Sequence, residues 1–249
     1  MDGVLWKADT PIGDVPAIFD RIRARGLKVA FTTNNGTRTP EQYVERLADF
    51  GVTVEPWQVV TSSLAVAHLL SQKFPTGGPV FAIGEAGVTL ALREKGFESL
   101  SEEEAGIALA VVMGIDLSIN YAKMSEAVLL VRRGLPFYAT NPDKTFPTPR
   151  GEIPGAGAWA SVIVTATGIE PIYAGKPAPY LLDLARERLG TTKEETLVVG
   201  DRLETDIAGG QAAGYPVALV LSGVSTLEQG ETWIPKVNVI AEDLSTLVK

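Results

Sequence analysis

Asp201 and Asp206 stand five residues apart in GDRLETDI, just after the apolar run LVV. Lys176 lies between a glycine and a proline in YAGKPAP, 25 residues ahead of Asp201. Thr32, Thr33, Asn34 and Asn35 follow LKVAF, and Asp2-Gly3 sits at the start of the chain. Together these are acidic groups, hydroxyls, paired amides and one ammonium. Carboxylate oxygens suit a hard divalent cation, and the other groups can neutralise and hydrogen-bond a phosphoryl group. Each also has a plainer role. Asp-Gly is a common turn, and Thr-Asn-Asn-Gly can be a turn and helix entry. Asp201 could cap a helix, with Asp206 a first-turn charge favoured by the helix dipole. A lysine before proline is most often solvated. Their placement argues for chemistry.

That placement comes from an alternation of short apolar strands and amphipathic helices. Strands are expected in LKVAFTTN, VEPWQVVTSS, GGPVFAIG, IALAVVMGID, PFYATN and TLVVGD, with PVALVLSG as the last. Helices are expected over Val15 to Arg25, Pro40 to Phe50 (stopped by Gly51), SLAVAHLLSQKF, GVTLALREKG, Asn120 to Arg133 and DIAGGQAAG. The near-continuous apolar character of IALAVVMGID suits a strand covered on both faces. The pattern predicts an α/β fold with a mostly parallel sheet. Such sheets present ligand sites at the carboxyl ends of their strands, where the chemistry-bearing residues fall. The four-proline stretch from Thr140 to Gly157 is the least regular part and is expected to be a functional loop or linker.

Composition narrows the function classes. A net charge of -8 argues against an electrostatic nucleic-acid footprint. The absence of cysteine excludes disulfides, thiolate chemistry and sulfur-bound zinc. No apolar run is long enough to span a bilayer and no signal peptide opens the chain, so the expected location is cytoplasmic, without a membrane partner. His68, the one histidine, is expected to be structural. Trp57, Trp159 and Trp233 are expected to pack internally, with Trp6 beside the site.

In order and context, DG, FTTNN, GKP and GDRLETDI resemble motifs one to four of the haloacid dehalogenase (HAD) superfamily. The whole chain is similar to its 4-nitrophenylphosphatase-like and pyridoxal-phosphate-phosphatase-like branch, including ATNPDKTFPTPRGEIPGAGA, which resembles that branch's cap segment. GDRLETDI with GKP upstream is specific; DG alone is not. The resemblance implies a Rossmann-like, parallel-sheet α/β core in residues 1–76 and 175–249 and an inserted α/β cap in 77–174, hinged near Gly77-Gly78 and Ala174-Gly175.

It also implies a magnesium-dependent phosphatase acting through an aspartyl-phosphate. Asp2 would be the general acid and base, with its carbonyl on the metal, and Asp201 would be a metal ligand. Asp206 would support the metal or orient the lysine. Thr33, Asn34 and Asn35 would hold phosphoryl oxygens, and Lys176 would balance the negative charge. In the cap, Asn141 and Asp143 would approach substrate, unless they form a local Asx-Pro turn. The substrate would be a small phosphorylated metabolite, and a homodimer would fit a branch in which cap-mediated dimers are common.

The sequence departs from the family at one point. The first motif is a hydrophobic strand ending in Asp-x-Asp-Gly, where the first aspartate is the nucleophile. Here x is Met1, so the nucleophile and its strand are expected upstream, with the first core strand truncated. Three possibilities stand: a phosphatase missing its first few residues, an inactive HAD-like module that binds phosphate esters, or a different α/β protein such as a sugar- or nucleotide-binding domain.

Overall fold

The computed structural model describes residues 1–148 and 150–249. The chain forms two compact units. The first comprises Met1–Thr32, Pro40–Val60 and Lys176–Lys249, and the second Thr33–Thr39 and Thr61–Gly175. Among the described residues no helix is long and apolar enough to cross a membrane.

In the first unit, strands Val198–Gly200, Val217–Val220 and Val239–Ala241 form a parallel sheet in that order. Phe31–Thr33 and Val59–Thr61, all but their last residues in this unit, form a separate two-stranded sheet. Helix Val15–Ala24 begins where Asp14 Oδ1 accepts the Ala17 amide at 3.1 Å, with Pro16 in its first turn. Its buried Val15, Ile18, Phe19 and Ile22 recur at helical spacing. They join Phe31 and Val59 of one sheet and Val199 and Val220 of the other in a single apolar cluster that also takes in Met1, Val4, Leu5 and Trp6. The two sheets thus share a core, yet no ladder joins them among the described residues.

The second unit holds five parallel strands in the order Ile172–Tyr173, Phe137–Ala139, Val111–Met113, Gly78–Ile83 and Phe97–Ser99. Val111–Met113 and Phe137–Ala139 are buried throughout, as their unbroken apolar sequences require. Helices Tyr121–Arg132 and Ala156–Thr167 pack Met124, Ala127, Leu130, Val131, Ala160 and Ile163 into this unit's core. Helix Ser62–Lys73, capped by the Thr61 hydroxyl on the Leu64 amide at 3.3 Å, packs on Ala86–Glu94 and groups with this unit.

A part-buried ion pair sits in the turn after Val111–Met113. Asp116 accepts Lys123 Nζ at 2.7 Å and the Ser118 amide and hydroxyl at 2.7 and 2.6 Å. Burial pushes the Asp116 carboxyl up, but Lys123 and Ser118 outweigh it and hold it below the usual range. A carboxylate depressed in the folded state adds stability above its unfolded pKa, about 3.9, and loses it as pH falls through the folded value. Lys123→Met should therefore lower stability by about 1–2 kcal/mol at pH 7, the exposure of Lys123 limiting the effect. The deficit should shrink in thermal melts at pH 3; an equal deficit at both pH values would contradict the assignment.

Four expectations are corrected. The segment from Thr140 to Gly157 is not wholly irregular: Thr145–Thr148 and Gly151–Pro154 form an antiparallel hairpin. Pro147 is tolerated there because a two-stranded ribbon is all edge. PVALVLSG is not the last strand, since Val239–Ala241 pairs beyond it. The helix expected from Asp206 begins earlier, as a π-helical turn over Leu203–Ile207 that runs into Ala208–Ala212. Trp57 is not packed away but 47% exposed, with its carbonyl accepting Arg188.

Candidate active site

In the first unit the site is built on the carboxyl end of Val198–Gly200. The chain leaves this strand through Asp201 and Arg202 and enters the π-helical turn, in which the Ile207 amide reaches back to the Arg202 carbonyl at 3.3 Å. Such one-turn insertions often mark functional sites. Here the turn folds Asp206 back on its own approach. Asp206 Oδ2 accepts the Asp201 and Arg202 amides, both at 3.2 Å, and Oδ1 accepts Lys176 Nζ at 2.7 Å. Lys176 and Asp206 are both buried, so this is a desolvated, charge-assisted pair. Burial pushes Asp206 up, but Lys176 and the backbone donors prevail and hold its carboxyl below the usual range.

Asp201 is buried beside this pair. Its Oδ2 accepts the Val224 amide at 3.0 Å, and its carbonyl accepts the Ser225 amide at 3.0 Å. Ser225 in turn accepts the Leu203 amide at 3.0 Å, so one serine ties the turn after Val217–Val220 to the start of the π-helical turn. Burial, then the nearby Asp206 charge, hold the Asp201 carboxyl above the usual range. Among the described residues Oδ1 accepts no hydrogen bond.

The Asp2-Gly3 turn closes on the same carboxylate. Gly3 has φ +73° and donates its amide to the Trp6 carbonyl at 2.8 Å, while its own carbonyl accepts Ser222 Oγ at 2.7 Å. A Cβ here would come within 2.3 Å of Asp201 Oδ2, so both the backbone conformation and the close approach require glycine. The Met1 nitrogen is buried with the charges of Lys176, Asp206, Asp201 and Asp2 around it. The Asp2 side chain is exposed.

The other expected residues lie in the second unit. Thr33 ends its strand, and its Oγ1 accepts the Asn35 amide at 3.2 Å. Asn35 Oδ1 accepts the Thr37 amide and hydroxyl at 3.0 and 2.7 Å. The Asn34 carbonyl accepts Ser62 Oγ at 2.5 Å and Asn141 Nδ2 at 2.8 Å, while Asn34 Nδ2 donates to Asp143 Oδ2 at 3.1 Å. Asn141 Oδ1 accepts the Asp143 amide at 3.1 Å, the Asx turn anticipated for TNPD. The His68 ring lies 3.1 Å from Gln72 Nε2 on the same helix, and its carbonyl accepts Ser71 Oγ at 2.7 Å.

The structure thus gathers Asp2, Lys176, Asp201 and Asp206 in one unit, and Thr33, Asn34, Asn35 and Asn141 in the other. No set of three acidic or histidine side chains forms a metal-binding group among the described residues, and Asp2 is expected to reach the metal through its carbonyl, not its carboxylate. Asp206 is engaged by Lys176 and two amides, which leaves Asp201 as the buried carboxylate able to offer an oxygen. Sequence reasoning missed Ser62, Ser222 and Ser225. A hydroxyl bonded across 22 to 219 residues leaves no local pattern to find.

Comparison with known proteins identifies the family. A model described as haloacid dehalogenase-like hydrolase matches residues 1–98, and a HAD-hydrolase-like model matches 173–247. The chain is 38% identical to an acid sugar phosphatase of Staphylococcus aureus over 228 residues, 92% of this chain and 86% of that protein. The chain belongs to the HAD superfamily. Among solved HAD structures, a p-nitrophenyl phosphatase from Archaeoglobus fulgidus superposes with a TM-score of 0.90 at 33% identity, covering 99% of this chain and 95% of that one. A glycerol phosphate phosphatase from Mycobacterium tuberculosis, in complex with magnesium, gives 0.91 at 34%, covering 99% and 74%. These relatives place the chain in the superfamily's 4-nitrophenylphosphatase-like branch, with an α/β core and a cap.

Proposed function

We propose that this HAD protein is a divalent-cation-dependent phosphatase of small phosphomonoesters that works through an aspartyl-phosphate. The observation that carries the proposal is the buried Lys176–Asp206 pair beside Asp201, with the Asp2-Gly3 turn closed against Asp201. Lys176 would neutralise charge gathered on the phosphoryl group, and Asp206 would aim it. The Thr33 hydroxyl and the amides of Asn34 and Asn35 would take phosphoryl oxygens. Asp2 is exposed, as a group must be to protonate a leaving oxygen and then take a proton from the attacking water.

Magnesium fits the donor set. Asp201 offers a hard oxygen whose negative charge is held at a cost by burial, and the carbonyl of Asp2 would add a second ligand. Magnesium commonly takes one or two carboxylates together with substrate phosphate and waters, so a three-acid cluster is not required. When bound it would polarise the phosphoryl group. Phe31–Thr33 and Val198–Gly200 share an apolar cluster but no ladder, and the gap between them would take the strand that carries the nucleophilic aspartate in the family. Sugar phosphates are the favoured substrate class, on the similarity to the acid sugar phosphatase.

The test compares hydrolysis of 4-nitrophenyl phosphate, with and without magnesium, by this chain and by a form extended upstream by a hydrophobic strand ending in aspartate. Turnover by the extended form alone is the expected result. If neither turns over though both fold and bind phosphate, the protein is a phosphate-ester binding module. Equal turnover by both would remove the covalent step.

A further inference from the structure

Asn141 has only 3% of its surface exposed and lies at the end of strand Phe137–Ala139, too enclosed to be a substrate contact of the ordinary kind. All of its described bonds are internal. It donates to the Asn34 carbonyl at 2.8 Å and to Thr140 Oγ1 at 3.3 Å, and it accepts the Asp143 amide at 3.1 Å. Asp143 closes the circuit by accepting Asn34 Nδ2 at 3.1 Å. The TNPD turn itself is held firmly: the Gly157 amide donates to the Asp143 carbonyl at 2.9 Å, and the Gly155 amide to the Lys144 carbonyl at 2.9 Å. Gly175 donates its amide to the Thr140 carbonyl at 2.7 Å. A Cβ at Gly175 would come within 2.7 Å of Asn34 Oδ1 and 3.1 Å of Asn141 Cβ, so backbone is packed against both amides.

We infer that Asn141 and Asp143 are positioning residues that fix the Thr33–Asn35 segment by gripping Asn34 at its carbonyl and its side-chain amide. The grip spans more than a hundred residues of sequence, and Asn34 is the middle one of the three residues assigned to phosphoryl oxygens. The consequence for catalysis rests on the phosphatase assignment above; the grip itself does not. A displaced donor loses transition-state stabilisation without much change in ground-state binding. Misplacement by about 1 Å can cost about a hundredfold in rate.

The test uses the full-length enzyme and Asn141→Asp, which keeps volume and the bond from the Asp143 amide but sets an acceptor against the Asn34 carbonyl. Asp143→Ala and Asn34→Ala, singly and together, supply variants that perturb the turn differently should the first not fold. The expected result is a loss in kcat of about ten- to a hundredfold with KM little changed, equal for 4-nitrophenyl phosphate and for a sugar phosphate. The double variant should be no worse than the poorer single one. A loss that differs between substrates would make Asn141 a specificity contact and overturn the proposal. Unchanged kcat in an active parent would overturn it too.

Amide exchange over residues 33–39 provides a readout independent of turnover. Asn141→Asp should speed it about tenfold, as expected when a local restraint is lost. A parent inactive on every phosphomonoester whose segment still loosens would sink the phosphatase assignment and leave the grip standing. Unaltered exchange would sink the grip.

Discussion

Lys176→Met is expected to lower turnover of the full-length enzyme about a thousandfold, the scale on which loss of a preorganised charge-stabilising group registers. It should also cost about 3–5 kcal/mol of folding stability. Asp206 would keep its burial and its two backbone donors but lose its counter-charge, and an uncompensated buried carboxylate is what makes breaking such pairs expensive. The two losses can be separated. Adding Asp206→Asn removes the stranded charge, so the double variant should regain most of the stability in urea unfolding while staying inactive. Recovery of turnover in the double variant would show that Lys176 serves the fold alone.

Asp201→Asn should have an effect of similar size on turnover by a different route. Several kcal/mol of transition-state stabilisation are at stake when a metal loses its carboxylate, which corresponds to about a thousandfold or more. Its effect on stability should have the opposite sign to that of Lys176→Met. Burial and Asp206 raise the Asp201 carboxyl above its ordinary range, so the unfolded chain ionises more readily than the folded one. Metal-free protein should therefore lose stability as pH rises from the ordinary carboxylate range through the raised folded value. A neutral amide escapes that loss. In chelator at neutral pH, the variant should melt at or above the parent temperature. Magnesium should raise the parent's melting temperature and leave the variant's unchanged. A magnesium response retained by Asp201→Asn would place the cation elsewhere.

Much of this site is legible in the sequence because its parts sit at strand ends, and alternating short apolar runs reveal where strands end. Phe31–Thr33, Gly78–Ile83 and Val198–Gly200 all fall inside runs visible without coordinates. What fails is information that only tertiary structure carries. In IALAVVMGID the apolar run is continuous, yet only Val111–Met113 joins the ladder, because Ala105–Ile107 turns as a 3₁₀ helix. Val239–Ala241 is too short to stand out from NVIAED, and it becomes a strand by pairing with Ala218–Val220. Proline content hides the pairing of Thr145–Thr148 with Gly151–Pro154, since the usual penalty for proline in a ladder does not apply at an edge. The partner a carboxylate takes is equally hidden. The sequence leaves Asp206 between supporting the metal and orienting the lysine, and only the fold reveals that Lys176 and two amides engage it.

The π-helical turn at Leu203–Ile207 can also be considered as a matter of helical phase. An α-helix advances each side chain by about 100° around its axis. A winding with one extra residue per turn therefore changes which way every later side chain points. Asp206 meets Lys176 and the amides of Asp201 and Arg202 in the phase set by this wider winding. The length of the segment between Arg202 and Ala208 is thus part of the site. Exposed Glu204 is open to replacement by other side chains, but losing a single residue here would turn Asp206 away from Lys176 with every side chain assigned to the site still present.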